Sequence, residues 1–222
     1  PTYQNTEVKY FPGGEDFFEE LLVQLKNAKR FIFLEYFIIA EGLMWGEVLK
    51  LLKEKVEEGV EVRVLYDGTN ELFNLSYQYP NYLCGMGIRC KVFSPVYPIF
   101  STHYNNRDHR KIVVIDGKVA FTGGINLADE YINVKERFGH WKDTGLMLKG
   151  PGVFNLTLMF LEMWNAFNKD GDGYAEFIPD SFEECGSADD GYVLSFSDSP
   201  LDNESVGESV YTDMLYQAKD YI

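Results

Sequence analysis

Hydrophobic and polar positions change period several times along the chain, and each change marks an element. Phe17, Leu21, Leu22, Leu25 and Ala28 recur at helical spacing after Gly13-Gly14, with Asp16 near the start and Lys29-Arg30 at the end, where the helix dipole favours each sign. Residues 31–39 are then nearly continuous in apolar side chains, broken by Glu35, which predicts a buried strand. Residues 46–58 return to the helical period and stop at Gly59. Residues 61–66 form a further strand that ends in Asp67-Gly68. Strand, helix and strand in this order predict a βαβ unit with a right-handed crossover. Residues 70–86 show only a helical tendency near their end, and residues 89–93 read as a short strand.

The second half repeats the logic at closer spacing. Lys111-Ile112-Val113-Val114-Ile115 is bounded by Asp116-Gly117, and the run from Lys118 to Thr122 follows at once and stops at Gly123-Gly124. That pattern predicts a tight hairpin closed by an Asp-Gly turn. Asp129-Glu130-Tyr131 opens a helical turn, and His140-Trp141-Lys142-Asp143 leads into a strand over residues 144–149. Residues 151–167 form a helix with Phe154, Leu158, Leu161, Trp164 and Ala166 inward. Residues 192–196 can make one more strand. Leu215, Ala218, Lys219, Tyr221 and Ile222 then echo Leu25, Ala28, Lys29, Phe31 and Ile32 at a constant offset. The chain therefore ends where a second copy of helix running into strand begins.

Composition narrows the class. With 222 residues, 45% hydrophobic content and 16% aromatics, the chain can bury one full α/β core with something left over. Its longest apolar run is far short of the roughly 20 residues that span a bilayer. The chain opens on Pro1 without a signal peptide, so a longer parent, with any membrane anchor outside these residues, is expected. A net charge of −15 argues against nucleic acid as a partner, but nine acids and no Lys or Arg fall in residues 180–208, leaving −6 for all the rest. Arg107, Arg110 and Lys111 make the hairpin locally basic. Cys84, Cys90 and Cys185 are odd in number and lack metal spacing. Asn168, Asp170 and Asp172 resemble the start of a calcium loop, but Pro179 stands where its closing Glu belongs. No metal and no cofactor is expected.

The chemistry concentrates in residues 106–126. Side chains alternate faces in a strand, so His109 and Lys111 point the same way if the strand begins that early. The second strand runs back and delivers Gly123, Gly124 and Asn126 to the same end. An ammonium, glycine amides and a carboxamide suit an anion such as phosphate, and an imidazole near neutrality can act as nucleophile or acid. A structural hairpin with a solvated His and Lys is the plain alternative. The loop before the motif, with Pro95, Tyr97, Pro98, Phe100 and Tyr104, either covers the site or packs as an ordinary loop. His103 reads as a loop residue.

His109-x-Lys111, four residues, Asp116, six residues, then Gly123-Gly124-x-Asn126 resembles the HKD motif of the phospholipase D superfamily. Ala28-Lys29, Glu35-Tyr36, residues 59–67, His140-Trp141-Lys142-Asp143 and Ser199-Pro200-Leu201-Asp202 extend the resemblance to the amino-terminal catalytic half of bacterial cardiolipin synthases. The variation is Gly124, where many relatives have Ser. The resemblance implies an α/β/α sandwich with a mixed sheet flanked by helices. Residues 1–179 would be the first such domain, and residues 180–222 an acidic connector, a strand and the start of a truncated second repeat. It implies phosphatidyl transfer between two phosphatidylglycerol molecules through a phosphohistidine, with His109 as nucleophile. Lys111, Asn126, Gly123 and Gly124 would hold phosphate, each donor being worth roughly 3 kcal/mol in the transition state, and Asp143 the other imidazole nitrogen. Asp116 belongs to the family's catalytic set, but alternation places it on a different face from Lys111, which favours a role in the turn. The implied partners are the membrane surface through the parent protein and a second HKD domain, in the same chain or in a homodimer. The residues present are expected to be inactive alone. A phospholipase D, a single-motif phosphodiesterase or nuclease dimer, and an inactive lipid-binding half are the alternatives.

Overall fold

The computed structural model describes residues 1–96, 107–166, 171, 173–181, 191–198 and 203–222. Expectations for Tyr97, Pro98, Phe100, His103, Tyr104, Cys185, the acids near residue 170 and residues 199–202 lie outside the described residues.

Seven strands form one mixed sheet between two helical layers. The strands are β1 (Glu7–Phe11), β2 (Phe31–Tyr36), β3 (Glu61–Asp67), β4 (Arg89–Phe93), β5 (Lys111–Ile115), β6 (Val119–Gly123) and β7 (Gly145–Lys149), in the order β1-β7-β6-β5-β2-β3-β4. The pairs β2/β3 and β3/β4 are parallel and the others antiparallel. Helices α1 (Gly14–Asn27) and α2 (Leu43–Glu57) cover one face, joined by the short α3 (Asn70–Phe73) and α4 (Tyr79–Gly85) beyond β3. Helix α5 (Val153–Asn165) covers the other.

The alternation of side chains sorts the core. Ile32, Leu34 and Tyr36 of β2 and Val113 and Ile115 of β5 pack with Leu21, Leu25, Trp45, Val48 and Leu52 on the α1/α2 face. Phe31, Phe33, Ile112 and Val114 turn to the α5 face, against Leu156, Phe160 and Trp164. The buried face of α5 is set by Val153, Leu156, Phe160, Met163 and Trp164, so Phe154 and Leu158 are only half-buried and Ala166 is exposed, contrary to the helical reading.

Three other differences have local causes. The strand expected over residues 31–39 stops at Tyr36, because the next amides turn to side chains: Ile38 N–H donates to Asn126 Oδ1 at 2.9 Å and Ile39 N–H to Asn70 Oδ1 at 2.9 Å. Helix α2 begins before Gly46 because the Asp129 carboxylate, from far along the chain, accepts from Leu43 N at 3.0 Å and Met44 N at 2.8 Å. The strand expected over residues 192–196 is reduced to a bridge between Val193 and Tyr3. Strand β1 was not expected at all; its Val8 and Tyr10 are exposed and only Phe11 is buried, so pairing with β7 rather than burial defines it.

Helix α6 (Val206–Gln217) buries none of its residues. Its end matches that of α1: Ala218 N–H turns back to Leu215 O at φ −62 and ψ 135, as Ala28 N–H turns to Leu25 O at φ −55 and ψ 140.

Candidate functional site

The site is built where β5 begins, next to the carboxyl end of β2, with Lys111 paired to Tyr36. Lys111 is 4% exposed, and its Nζ donates to His109 O at 2.5 Å and lies 3.1 Å from His109 Nδ1. The Phe37 ring closes the group from the side, with its centroid 4.6 Å from that of the imidazole and 5.3 Å from Lys111 Nζ. His109 itself is exposed. Although the ladder starts only at Lys111, the two side chains meet on one face.

Their titration follows from the surroundings. Partial burial and then the Lys111 charge hold the His109 pKa below the usual imidazole value, against the opposing pull of Asp108 and Asp67. Burial brings Lys111 down to about 8, while Asp108 and Asp143 favour its charged form. An ammonium has no lone pair, so His109 Nδ1 accepts from it and the ring proton sits on Nε2.

Asn126 is 2% exposed and ties the end of β6 to the end of β2. Its Oδ1 is taken by Ile38 N, and its Nδ2 donates to Tyr131 Oη at 2.7 Å. Asp143 accepts from Thr144 N at 2.8 Å and acts electrostatically on both Lys111 and Tyr131. Among the described residues no hydrogen bond joins Asp143 to His109. The glycines allow a close approach: a Cβ on Gly124 would fall 2.0 Å from Asp143 Oδ1, and one on Gly123, at φ +145, would fall 2.5 Å from Thr144 O. Gly124 N–H is donated to Thr144 O at 3.0 Å, so that amide serves the chain rather than a ligand.

Asp116 is not brought to this group. Its carboxylate lies past the other end of β5, about 17 Å of strand away, and accepts from the amides of Lys29 at 2.8 Å, Arg30 at 2.8 Å and Phe31 at 2.9 Å. It also sits in the turn, where Asp116 and Gly117 have φ of +56 and +68 and Lys118 N–H closes onto Ile115 O.

Sequence reasoning reaches only part of what lies beneath: Glu35, inside an apolar strand, reads as a paired core acid, but its partners are not legible from that strand. Asp108 and Arg110 point to the face opposite Lys111. Arg110 Nη2 lies 2.5 Å from Oε1 of the fully buried Glu35, and Arg110 Nε lies 3.3 Å from Asp108 Oδ1. Desolvation and the Asp108 carboxylate raise Glu35 well above the usual carboxylate range. The available signal was alternation: in Arg107-Asp108-His109-Arg110-Lys111 the odd and even residues part company. Tyr131, read only as part of a turn, is also a site residue. Among the described residues no group of three His, Cys, Asp or Glu could hold a metal ion.

A three-layer domain that presents a His-x-Lys pair at a sheet end, backed by a buried Asn and two close-packed glycines, defines a phospholipase D-like domain. Residues 21–144 match the family model described as "Cardiolipin synthase, PLD-like domain", and the chain belongs to that family. It is 61% identical over its whole length to an uncharacterized protein of Streptococcus mutans, of which it covers 48%. It is 42% identical over 160 residues, 72% of the chain, to cardiolipin synthase 2 of Bacillus cereus, of which it covers 31%. The chain thus spans half or less of the length of these curated relatives. The phospholipase D family member Nuc from Salmonella typhimurium has the same fold, with TM-score 0.54 and 17% identity over 74% of this chain and 95% of that one. No helix among the described residues is long and apolar enough to cross a membrane.

Proposed function

We propose that this chain is the first catalytic half of a cardiolipin synthase that transfers a phosphatidyl group from one phosphatidylglycerol to another at a membrane surface. The observation that carries the reading is the contact between His109 and the buried Lys111 inside a complete motif. Residues 1–179 would be the first phospholipase D-like domain, and residues 180–222 the connector and the start of the second. The repeated helix end at Ala218 and the exposed α6 support that division.

In this reading His109 Nε2 attacks phosphorus, the P–O bond to glycerol breaks, and the histidine of the second half protonates the leaving oxygen. The acceptor hydroxyl, losing its proton to that same partner, then attacks phosphorus, and the P–N bond breaks to return free His109. Nucleophilic attack needs the proton on Nδ1, so the ring must turn from Lys111 towards an acceptor, the role that the family resemblance gives to Asp143. Released from Nδ1, Lys111 faces the non-bridging oxygens as a point charge. Asn126 holds the β2 end in register and has a second N–H for phosphate. Asp116 keeps the hairpin and β2 together and takes no part in the chemistry.

Quenching the full-length protein with labelled phosphatidylglycerol tests this directly. A nitrogen-linked adduct, labile in acid and stable in base, should map to His109. Label on the second motif's histidine alone, with His109→Ala still labelled, would reverse the assignment. The second reading is a single-motif phosphodiesterase acting as a symmetric dimer, favoured by the match to 95% of the Nuc chain. Light scattering with a phosphatidylglycerol assay on residues 1–222 separates the two: an inactive chain fits a half-enzyme, and an active dimer fits the alternative.

A further inference from the structure

The backbone that carries His109 has no sheet ladder of its own. Residues 107–110 precede β5 and are held by side chains from the carboxyl ends of two parallel strands. Asp67, at the end of β3, is fully buried and accepts at Oδ1 from Thr69 N at 2.9 Å, Thr69 Oγ1 at 2.7 Å and Arg107 Nη1 at 3.4 Å. Its Oδ2 accepts from Asp108 N at 3.0 Å. Arg107 Nη1 also reaches Ser94 O at 3.1 Å. Asp108 Oδ1 receives Arg110 N at 3.2 Å, and Glu35, from β2, holds the Arg110 guanidinium. His109 is therefore pinned on both sides by groups that never reach its own face.

We propose that Asp67, Asp108, Arg110 and Glu35 are the positioning residues of His109, fixing the imidazole against Lys111 from the far side of the sheet. The burial of these acids supports an anchor rather than a surface ion pair: Glu35 and Asp67 are 0% exposed and Asp108 is 2%. Glu35, Asp108 and Arg110 would together carry one negative charge, and a proton on Glu35 makes the trio neutral, in keeping with its raised affinity for protons. The catalytic sense of the anchor rests on His109 being the nucleophile; its geometric sense does not.

The test is carried out on the 222-residue chain by following the ring nitrogens of its three histidines by NMR, with His109→Ala identifying the His109 signals. Asp67→Asn keeps the volume, but with Thr69 and Arg107 claiming the oxygen, its NH₂ faces the Asp108 N–H, donor against donor. Arg110→Met removes the clamp from Glu35. In Arg110→Met the His109 midpoint should rise from its depressed value towards about 6.5 as the ring leaves Lys111. Asp67→Asn also removes a charge that favours the imidazolium, so there the readout is the His109 Nδ1 signal, which should lose the mark of its bond to Lys111. Glu35→Gln preserves an acceptor for Arg110 and should leave His109 in place. An unmoved His109 in folded Asp67→Asn and Arg110→Met chains overturns the proposal. If neither variant folds, hydrogen exchange on the wild type decides: Asp108 N–H should be as protected as the amides of β5, and exchange at a free-loop rate overturns the anchor. A wild type that forms no phosphohistidine sinks the proposed reaction while leaving these outcomes intact.

Discussion

The two ends of β5 hold the two most recognisable charges of the motif and use them in opposite ways. At the first residue, the Lys111 ammonium is buried with His109 as its hydrogen-bond partner, at the edge of an open site. One residue past the last, the Asp116 carboxylate is consumed by three backbone amides of residues 29–31. The spacing of four residues between them records the length of a strand, not the width of a site. One end carries an exposed imidazole on a buried ammonium and the other is satisfied by backbone amides to hold the fold, so a motif that looks like a single set is a His–Lys pair and a structural lock joined by a strand.

Substitution at the two ends should separate activity from stability. Replacing His109 by Ala should abolish the phosphoenzyme and lower turnover of the full-length protein by about 10⁴-fold or more, with the urea midpoint little changed. Asp116→Ala leaves three amides at the start of β2 without their acceptor and should cost about 2–4 kcal/mol of stability. Turnover per folded molecule should stay within about fivefold of wild type. A folded Asp116→Ala protein as inactive as His109→Ala would break the comparison.

The two faces of the same backbone give opposite responses to pH. Lys111 has a folded pKa of about 8 against a reference of 10.5, so between those values the unfolded chain binds more protons and stability rises with pH. In Lys111→Met that rise should vanish, and the variant should be the more stable protein below pH 8. Glu35, on the other face, is raised above its reference of 4.5, so the unfolded chain releases its proton first. Stability should fall as pH climbs from about 4.5 towards the folded pKa, and Glu35→Gln should flatten that fall. Urea titrations across pH 4 to 11 read both slopes; equal slopes in wild type and variants would mean that these side chains are hydrated rather than buried.

Much of the fold was legible because burial and period coincide: β3, β4 and the hairpin strands appear almost where the pattern puts them. The failures share one cause, which is a local element completed by a distant group. Nothing near Gly42 announces a helix start, since the cap is Asp129, and nothing near Tyr36 announces a strand end, since Asn126 and Asn70 take the next amides. In the site, His109 and Lys111 were legible from alternation, as was the separate face of Asp116. The Gly124 amide was expected to face phosphate, but its engagement by Thr144 depends on the β6/β7 pairing, which one strand's sequence does not contain. In the buried trio, Glu35 was legible as a paired core acid inside an apolar strand, but its partners Asp108 and Arg110 stay hidden until β2 and β5 lie side by side.

The smallest expected effect sharpens the Lys111 end. Unlike Gly123, Gly124 does not need a positive φ, so an added methyl group should not strain the backbone itself. Its obstacle is the Asp143 carboxylate, 2.0 Å from the new Cβ, which must swing away from Thr144 N. That carboxylate helps Lys111 keep its proton, so displacing it should lower the Lys111 pKa by a fraction of a unit from about 8. Loss of the Thr144 bond should cost about 1 kcal/mol. Following Lys111 Nζ by NMR in Gly124→Ala reads the shift, with Gly46→Ala, at a position with open space and no positive φ, as the control for backbone effects. A Lys111 midpoint that does not move, in a variant whose Thr144 amide has lost its protection, would show that Asp143 does not act on the lysine and that its place in the site has to be sought at His109 alone.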